Sequence, residues 1–192
     1  MAELFGLLLS ALLVNNFVLA QFLGLCPFLG VTARSGTALA MGLATTFVLS
    51  LAAVLSHLLY HGLLRPLGLE YLDLIVFMVT IAATVQLTEL YLRGVSPLLH
   101  RTLGLYLPLI TSNCAVLAVA LLAIRDELSL LQTLVFAIGA AAGFVLVMVL
   151  FAALREQLDE QRVPDALKGT PITLVTAGLL ALGFMGFTGF GL

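Results

Sequence analysis

Charged residues are scarce in this sequence. Only 9% of its 192 residues are charged and 62% are hydrophobic, whereas a soluble domain carries roughly 25% charged residues. A surface that faces water on all sides cannot be built from this composition. The 10 acidic and 8 basic residues lie almost wholly in gaps between apolar runs, so they form no basic stripe that could follow a phosphate backbone. The composition excludes nucleic acid as a partner and predicts an integral membrane protein.

Several common catalytic motifs are absent as well. The sequence contains no glycine-rich phosphate loop, no H-E-x-x-H and no G-x-S-x-G, which excludes the nucleotide-binding, zinc-protease and hydrolase chemistries that need them. Tryptophan is also absent. Four tyrosines are therefore the main aromatic anchors for a membrane–water interface.

Long apolar runs make up most of the chain. A helix needs ~20 residues to cross a hydrocarbon core of ~30 Å, and six runs reach about that length: Leu4–Val31, Ala38–His61, Tyr71–Leu92, Leu98–Ile124, Leu128–Ala153 and Thr170–Gly191. Strands of a membrane barrel would alternate polar and apolar residues, but the stretch from Phe136 to Phe151 has no polar residue. We predict an all-α polytopic membrane protein with six transmembrane helices in one membrane domain, residues 1–192.

The basic residues indicate how the spans are oriented. The loops after spans one, three and five carry six of them, and the loops after spans two and four carry only Arg65 and Arg125. The six are Arg34, Arg93, Arg101, Arg155, Arg162 and Lys168. The positive-inside rule places their side in the cytoplasm. Both termini are then periplasmic, in the inner membrane of a bacterium. The first run has no basic residue before it, so we interpret it as a span rather than a secretory signal.

Two spans are interrupted by polar and helix-breaking residues. Span one contains Asn15, Asn16, Gln21 and Gly24 before Cys26-Pro27, and span four contains the stretch Gly104–Cys114. Backbone groups freed by such residues are tolerated at membrane depth only where they are buried in protein or line a cavity. We therefore predict broken helices in spans one and four.

The interruptions fall at equivalent places in the two halves of the chain. Spans one and four each begin a group of three spans, approximately residues 1–95 and 96–192. Halves with an odd number of spans face opposite ways, and discontinuous helices at the junction of such inverted repeats form functional sites. The pattern predicts two inverted three-helix repeats in which Cys26 and Cys114 are equivalent.

Cys26 and Cys114 are the only cysteines in the chain, and each lies at or near the end of a break. A free cysteine in a membrane protein is often a small apolar filler. A disulfide is disfavoured because no oxidising compartment reaches the membrane interior. Thiolates are ligands for soft metal centres, and an iron–sulfur cluster commonly takes four. On that hypothesis the other two ligands come from another chain.

Other polar residues of the spans are candidates for an ion pathway. Asp73 and Glu89 lie near the two ends of span three, and acids within spans are functional candidates, although a solvated acid near an interface is the favoured interpretation of both. We assign a mainly structural role, the satisfaction of unwound backbone, to Asn15, Asn16 and Asn113. An interfacial position is predicted for His57, His61 and His100.

Two segments resemble a known family. Asn15-Asn16-Phe17-Val18-Leu19 through Gly24-Leu25-Cys26-Pro27-Phe28-Leu29-Gly30, together with the stretch Tyr106–Ala115, are similar to the RnfA/NqrE family. Its members are membrane subunits of the Rnf electron-transport complex and of the sodium-pumping NADH:quinone oxidoreductase. The likeness covers nearly the whole chain, and overall it favours the Rnf branch.

The resemblance implies a cofactor and partners. In that family a [2Fe-2S] cluster is shared with a homologous subunit, RnfE in the Rnf case, and is held by two cysteines from each chain. The matching positions here are Cys26 and Cys114. The resemblance further implies a complex with other Rnf subunits that couples electron transfer between ferredoxin and NAD to the movement of Na⁺ or H⁺.

Two other classes of function also fit the pattern. A secondary transporter of a small solute would use inverted repeats and broken helices in the same way. A purely structural membrane subunit would carry the two cysteines as inert residues. Iron content separates the electron-transfer hypothesis from both.

Overall fold

The structure is a computed structural model that describes residues 2–14, 16–32, 35–95, 107–159, 164 and 169–186. In chain order its helices are α1 (Ala2–Leu9), α2 (Phe17–Ala20), α3 (Leu25–Val31), α4 (Ser35–Leu59), α5 (Asp73–Val95), α6 (Leu107–Thr111), α7 (Cys114–Arg125), α8 (Leu130–Asp159) and α9 (Thr170–Met185). A π-helical turn extends α1 over Ser10–Val14, and a second one extends α4 over Tyr60–Leu64 and leads into a short turn at Arg65–Leu67. These ranges contain no strand, so the all-helical prediction is confirmed for them.

Three of these helical segments are long and apolar enough to cross a membrane: Ser35–Leu67, Asp73–Tyr91 and Leu130–Gln157. Two shorter apolar helices cover Leu109–Arg125 and Thr170–Met185. Large apolar side chains such as Leu43, Val79 and Leu179 point outward, each more than half exposed. Such a surface suits lipid rather than water. The structure is thus consistent with a membrane protein, while the six spans and the inverted repeats stay predictions.

Hydroxyl side chains in these helices are satisfied within their own helix. In α4, for example, the Thr45 hydroxyl donates to the Met41 carbonyl oxygen, and in α5 Thr80, Thr84 and Thr88 each donate to the carbonyl oxygen four residues earlier. A hydroxyl bonded in this way needs no water. The long helices therefore carry threonine without exposing an unsatisfied donor to hydrocarbon.

Helix α8 is the centre of the packing. It packs along α4, where Gly42 lies so close to Val145 that a Cβ atom at residue 42 would come within 2.9 Å of the valine side chain. On another side it contacts α1 and its π-helical turn. Phe28 of α3 stacks on Phe151 of α8 with ring centroids 4.2 Å apart. The core is therefore built around α8, with the broken first segment packed against it.

Two glycines of α8 allow the backbone of α1 to approach closely. A Cβ atom on Gly139 would lie 3.1 Å from the Leu8 carbonyl oxygen, and one on Gly143 would lie 2.8 Å from the Leu12 carbonyl oxygen. The two glycines are four residues apart, which is the spacing of the small-residue motif at helix–helix contacts in membranes. This contact fixes the position of the chain just before the first break.

Polar contacts mark one end of the helix assembly. Nη1 of Arg155 donates to the Leu29 carbonyl oxygen at 3.2 Å and to the Thr32 hydroxyl at 3.3 Å. Next to it, the Glu156 carboxylate accepts from the Ser35 backbone N–H. The end of α3, the start of α4 and the end of α8 therefore share one end. The sequence predicts a loop from Arg155 onward, but α8 continues to Asp159 because these neighbours give Arg155 and Glu156 partners while they remain helical.

Candidate functional site

The first break begins at Asn16, which is 2% exposed. Its side-chain oxygen accepts from the Val18 backbone N–H and so caps α2. Its amide nitrogen donates to the Leu12 and Gly143 carbonyl oxygens, at 3.3 and 3.0 Å. Asn16 therefore satisfies backbone groups on both sides of the interruption and ties it to α8. The structural role predicted for this residue is confirmed.

A loop over residues 21–24 separates α2 from α3. Phe22 has a positive φ of 54°, which is uncommon for a bulky residue. Gly24 has a φ of 77° and begins α3 as its cap residue. The two left-handed residues turn the chain sharply, and they place Cys26 in the first turn of α3.

The second break lies between α6 and α7, at Ser112 and Asn113. Asn113 is 3% exposed, and its side-chain oxygen accepts from the Ala115 backbone N–H, which caps α7. Asn113 thus repeats the capping role of Asn16, as predicted, and Cys114 becomes the first residue of α7. The predicted helix interruptions of spans one and four are present in the structure.

The two breaks meet at Gly24 and Cys114. The backbone N–H of Gly24 donates to Sγ of Cys114, with a nitrogen–sulfur distance of 2.9 Å. A Cβ atom on residue 24 would lie 3.0 Å from Phe144 and 3.2 Å from the Asn113 side-chain oxygen. Only glycine combines this φ with this spacing. The structure therefore brings together the two segments that the sequence singled out, although they are 90 residues apart.

Both cysteines lie at the surface of the chain. Cys26 and Cys114 are exposed free cysteines that form no disulfide with each other. They are accessible to a group or a chain that approaches from outside. Since each lies in the first turn of a helix, backbone N–H groups of that turn are directed toward it, an arrangement that favours a thiolate.

The residues around Cys114 fit an iron–sulfur group in two respects. The Gly24 N–H already points at the sulfur atom, and the Asn113 side-chain nitrogen is buried without a hydrogen-bond partner in the described part of the chain. An orphaned donor of this kind indicates a missing acceptor. Among the described residues no group of three or more His, Cys, Asp or Glu could hold a metal ion. A four-ligand cluster at Cys26 and Cys114 would therefore need ligands from a partner.

A cavity of about 610 Å³ opens beside Cys114. Apolar side chains of α5 and α7 form part of its wall, and polar residues line the rest: Gln86, Glu89, Thr111, Ser112 and Asn113. The cavity brings one of the two acids of α5 next to the second break. Nothing in the sequence predicted this proximity, because Glu89 and Cys114 belong to different spans.

The other acid, Asp73, has a local role. Its carboxylate accepts from the Leu74 backbone N–H at 2.6 Å, at the start of α5. An acid in the first turn of a helix stabilises it through the free N–H groups there. The structure therefore separates the two acids that the sequence treated alike.

The two described histidines lie together near the end of α4. The His57 and His61 rings stack with centroids 4.3 Å apart, and His57 contacts the Thr133 hydroxyl at 3.4 Å. His61 is exposed, at the π-helical turn that follows α4. Within the described ranges the pair has no third residue that would complete a metal site. Asn15 and His100 lie outside the described residues.

The glycine pair Gly139 and Gly143 supports the site, and the sequence analysis missed it. It holds the carbonyl oxygen that Asn16 binds. The G-x-x-x-G spacing was available as a signal, but small residues are so frequent in this span that the pair does not stand out.

Comparisons with known proteins agree with this geometry. Residues 4–191 match the model of a family described as Rnf-Nqr subunit, membrane protein. The chain is 60% identical over 189 residues to a protein of Alkalilimnicola ehrlichii that is named as the A-type subunit of an ion-translocating oxidoreductase complex, with 98% of each chain covered. Proteins of the same name from Pseudoalteromonas translucida and Vibrio cholerae are 56% and 53% identical over the same share of each chain.

Proposed function

Because the chain belongs to the Rnf-Nqr subunit family of membrane proteins, we propose that it relays electrons across the membrane within an ion-translocating oxidoreductase complex. Its relatives are named as subunits of such a complex. The relay runs between the ferredoxin side and the NAD side of an Rnf-type complex and is coupled to the movement of Na⁺ or H⁺.

The contact between Gly24 and Cys114 is the observation that supports the relay. It joins the two breaks at one cysteine and leaves the other, Cys26, two residues further along the same loop–helix junction. We propose that both thiolates ligate a [2Fe-2S] cluster and that a homologous, RnfE-like subunit supplies two more. When bound, the cluster supplies a one-electron station within a hydrocarbon core of ~30 Å.

The cavity beside Cys114 supports the coupling to an ion. Added negative charge near Cys114 is costly in a region of low dielectric constant unless a cation offsets it. Glu89 lines the same cavity. Its carboxylate would hold a Na⁺ ion or a proton close to the cysteine, so that electron arrival and cation binding favour each other.

The cluster is tested on the chain co-purified anaerobically with its homologous partner. Iron, acid-labile sulfide and low-temperature EPR are measured for the wild type, Cys26→Ala and Cys114→Ala. We expect about two irons per pair in the wild type and loss of the signal in both variants, because each removes a ligand. Wild-type protein without iron would instead favour a transporter that binds a small solute in the cavity, and solute uptake into vesicles would test that function.

A further inference from the structure

The surroundings of Cys114 contain two hydrogen-bond donors that ligand binding alone does not require. One is the Gly24 backbone N–H, which lies 2.9 Å from the sulfur atom. The other is the side-chain nitrogen of Asn113, which is buried and unpartnered within the described part of the chain. The equivalent nitrogen of Asn16 donates to two carbonyl oxygens. The same capping residue is therefore saturated in the first break and left with a free donor beside Cys114.

The local backbone keeps both donors in place. Gly24 is held at a φ of 77°, against Phe144 and the Asn113 side-chain oxygen. Asn113 is fixed by its bond to the Ala115 N–H, so its nitrogen cannot turn away without breaking the cap of α7. The donors therefore cost little reorganisation when charge arrives at Cys114.

We propose that Gly24 and Asn113 are positioning residues that donate hydrogen bonds to sulfur atoms at Cys114 and thereby raise the reduction potential of the group ligated there. Hydrogen bonds to cluster sulfurs stabilise the more negative, reduced state. The proposal rests on the proposed function, since it needs a cluster at Cys114. It adds that this side of the cluster, and not only its ligands, sets the potential.

The test is an EPR-monitored redox titration of the chain co-purified with its partner. Gly24→Ala forces the loop to shift, because the added Cβ atom meets Phe144 and Asn113 at an unfavourable φ. Asn113→Ser removes the amide donor but keeps a capping oxygen. Gly30→Ala is the matched control, since its Cβ atom would meet only Leu109 at 3.9 Å. We expect the equilibrium constant for one-electron reduction to fall about tenfold in Gly24→Ala, ~59 mV, to fall less in Asn113→Ser, and to stay unchanged in Gly30→Ala.

A second measurement does not depend on a variant folding. Pulsed EPR of the reduced wild-type pair, labelled with ¹⁵N-glycine, should show a nitrogen coupling and an exchangeable proton that disappears in D₂O. Unchanged potentials in both variants at wild-type iron content would overturn the proposal and leave the cluster intact. Absence of the glycine coupling would overturn it as well if Gly24→Ala fails to hold iron. Absence of iron from the wild type contradicts the proposed function itself.

Discussion

Asn16 and Asn113 show how one residue type satisfies an interrupted helix in a membrane. The side-chain oxygen of each accepts an N–H two residues later, which replaces a bond that the missing turn would have made. The sequence predicted this role because asparagine is a preferred helix cap. It did not predict that Asn16 also binds α8, since that contact joins residues 127 apart.

Substitutions of Asn16 should separate its two functions. Asn16→Ala removes the cap, about 1 kcal/mol, and leaves buried carbonyl oxygens unpaired, about 1–3 kcal/mol more. Asn16→Ser keeps a capping oxygen and loses only the amide bonds. We expect thermal unfolding in detergent to rank stability as wild type, then Ser, then Ala. Equal stability of the two variants would show that the cap contributes nothing.

Glu89 and Asp73 should differ in ion transport. We expect Glu89→Gln to reduce electron-linked ion uptake in vesicles at least tenfold while iron content and EPR spectrum stay normal, because Glu89 lines the cavity next to Cys114. Asp73→Asn is the control, since its carboxylate interacts with the start of α5. Normal ion uptake in Glu89→Gln, or an equal loss in Asp73→Asn, would contradict this assignment. The sequence could not distinguish these acids, because each lies near one end of the same span.

The packing of α1 on α8 depends on backbone contact at two glycines. Gly143→Ala places a Cβ atom 2.8 Å from a carbonyl oxygen that cannot move without moving α1. We expect a loss of about 1–3 kcal/mol in unfolding free energy, as for other overpacked sites. Gly178→Ala in α9 is the matched control, because its Cβ atom would meet nothing within 4 Å and alanine is favoured in a helix by about 1 kcal/mol. A stable Gly143→Ala variant would mean that α1 is free to move away from α8.

At the scale of elements the sequence predicted the long helices well and their ends poorly. The apolar runs Ala38–His61 and Leu128–Ala153 correspond to α4 and α8, but α4 starts at Ser35 and α8 ends at Asp159. The extra turns contain polar residues whose partners lie on other helices, such as Glu156 with Ser35. Hydropathy carries no information about such partners. The breaks were predictable, because glycine, proline and amides interrupt the apolar pattern directly.

Across the whole molecule, polar contacts divide the helix ends between two sides. Arg155 and Glu156 join the end of α3 and the start of α4, whereas His57 near the end of α4 contacts Thr133 near the start of α8. Helices α3 and α8 therefore end on the side where α4 begins, so α4 runs opposite to both. Which side faces the cytoplasm remains a prediction from the positive-inside rule.

Single cysteines introduced at the two sides should settle the orientation. Gly36 and Gly62 have open space where a Cβ atom would be, and they lie near opposite ends of the long helical segment Ser35–Leu67. In spheroplasts we expect a membrane-impermeant maleimide to label Gly62→Cys and to spare Gly36→Cys, with the reverse in inverted vesicles. The wild type, with its two native cysteines, gives the background. The opposite labelling pattern would invert the topology.

The exposure of both native cysteines has a consequence for biogenesis. A newly inserted chain presents two accessible thiols until a partner covers them, and accessible thiolates near helix N-termini are prone to oxidation beyond recovery. Copies made in excess over the partner should therefore accumulate as oxidised, assembly-incompetent protein. Balanced synthesis of the two chains then limits the yield of the complex, and the fraction of alkylatable thiol in a membrane measures the orphan pool.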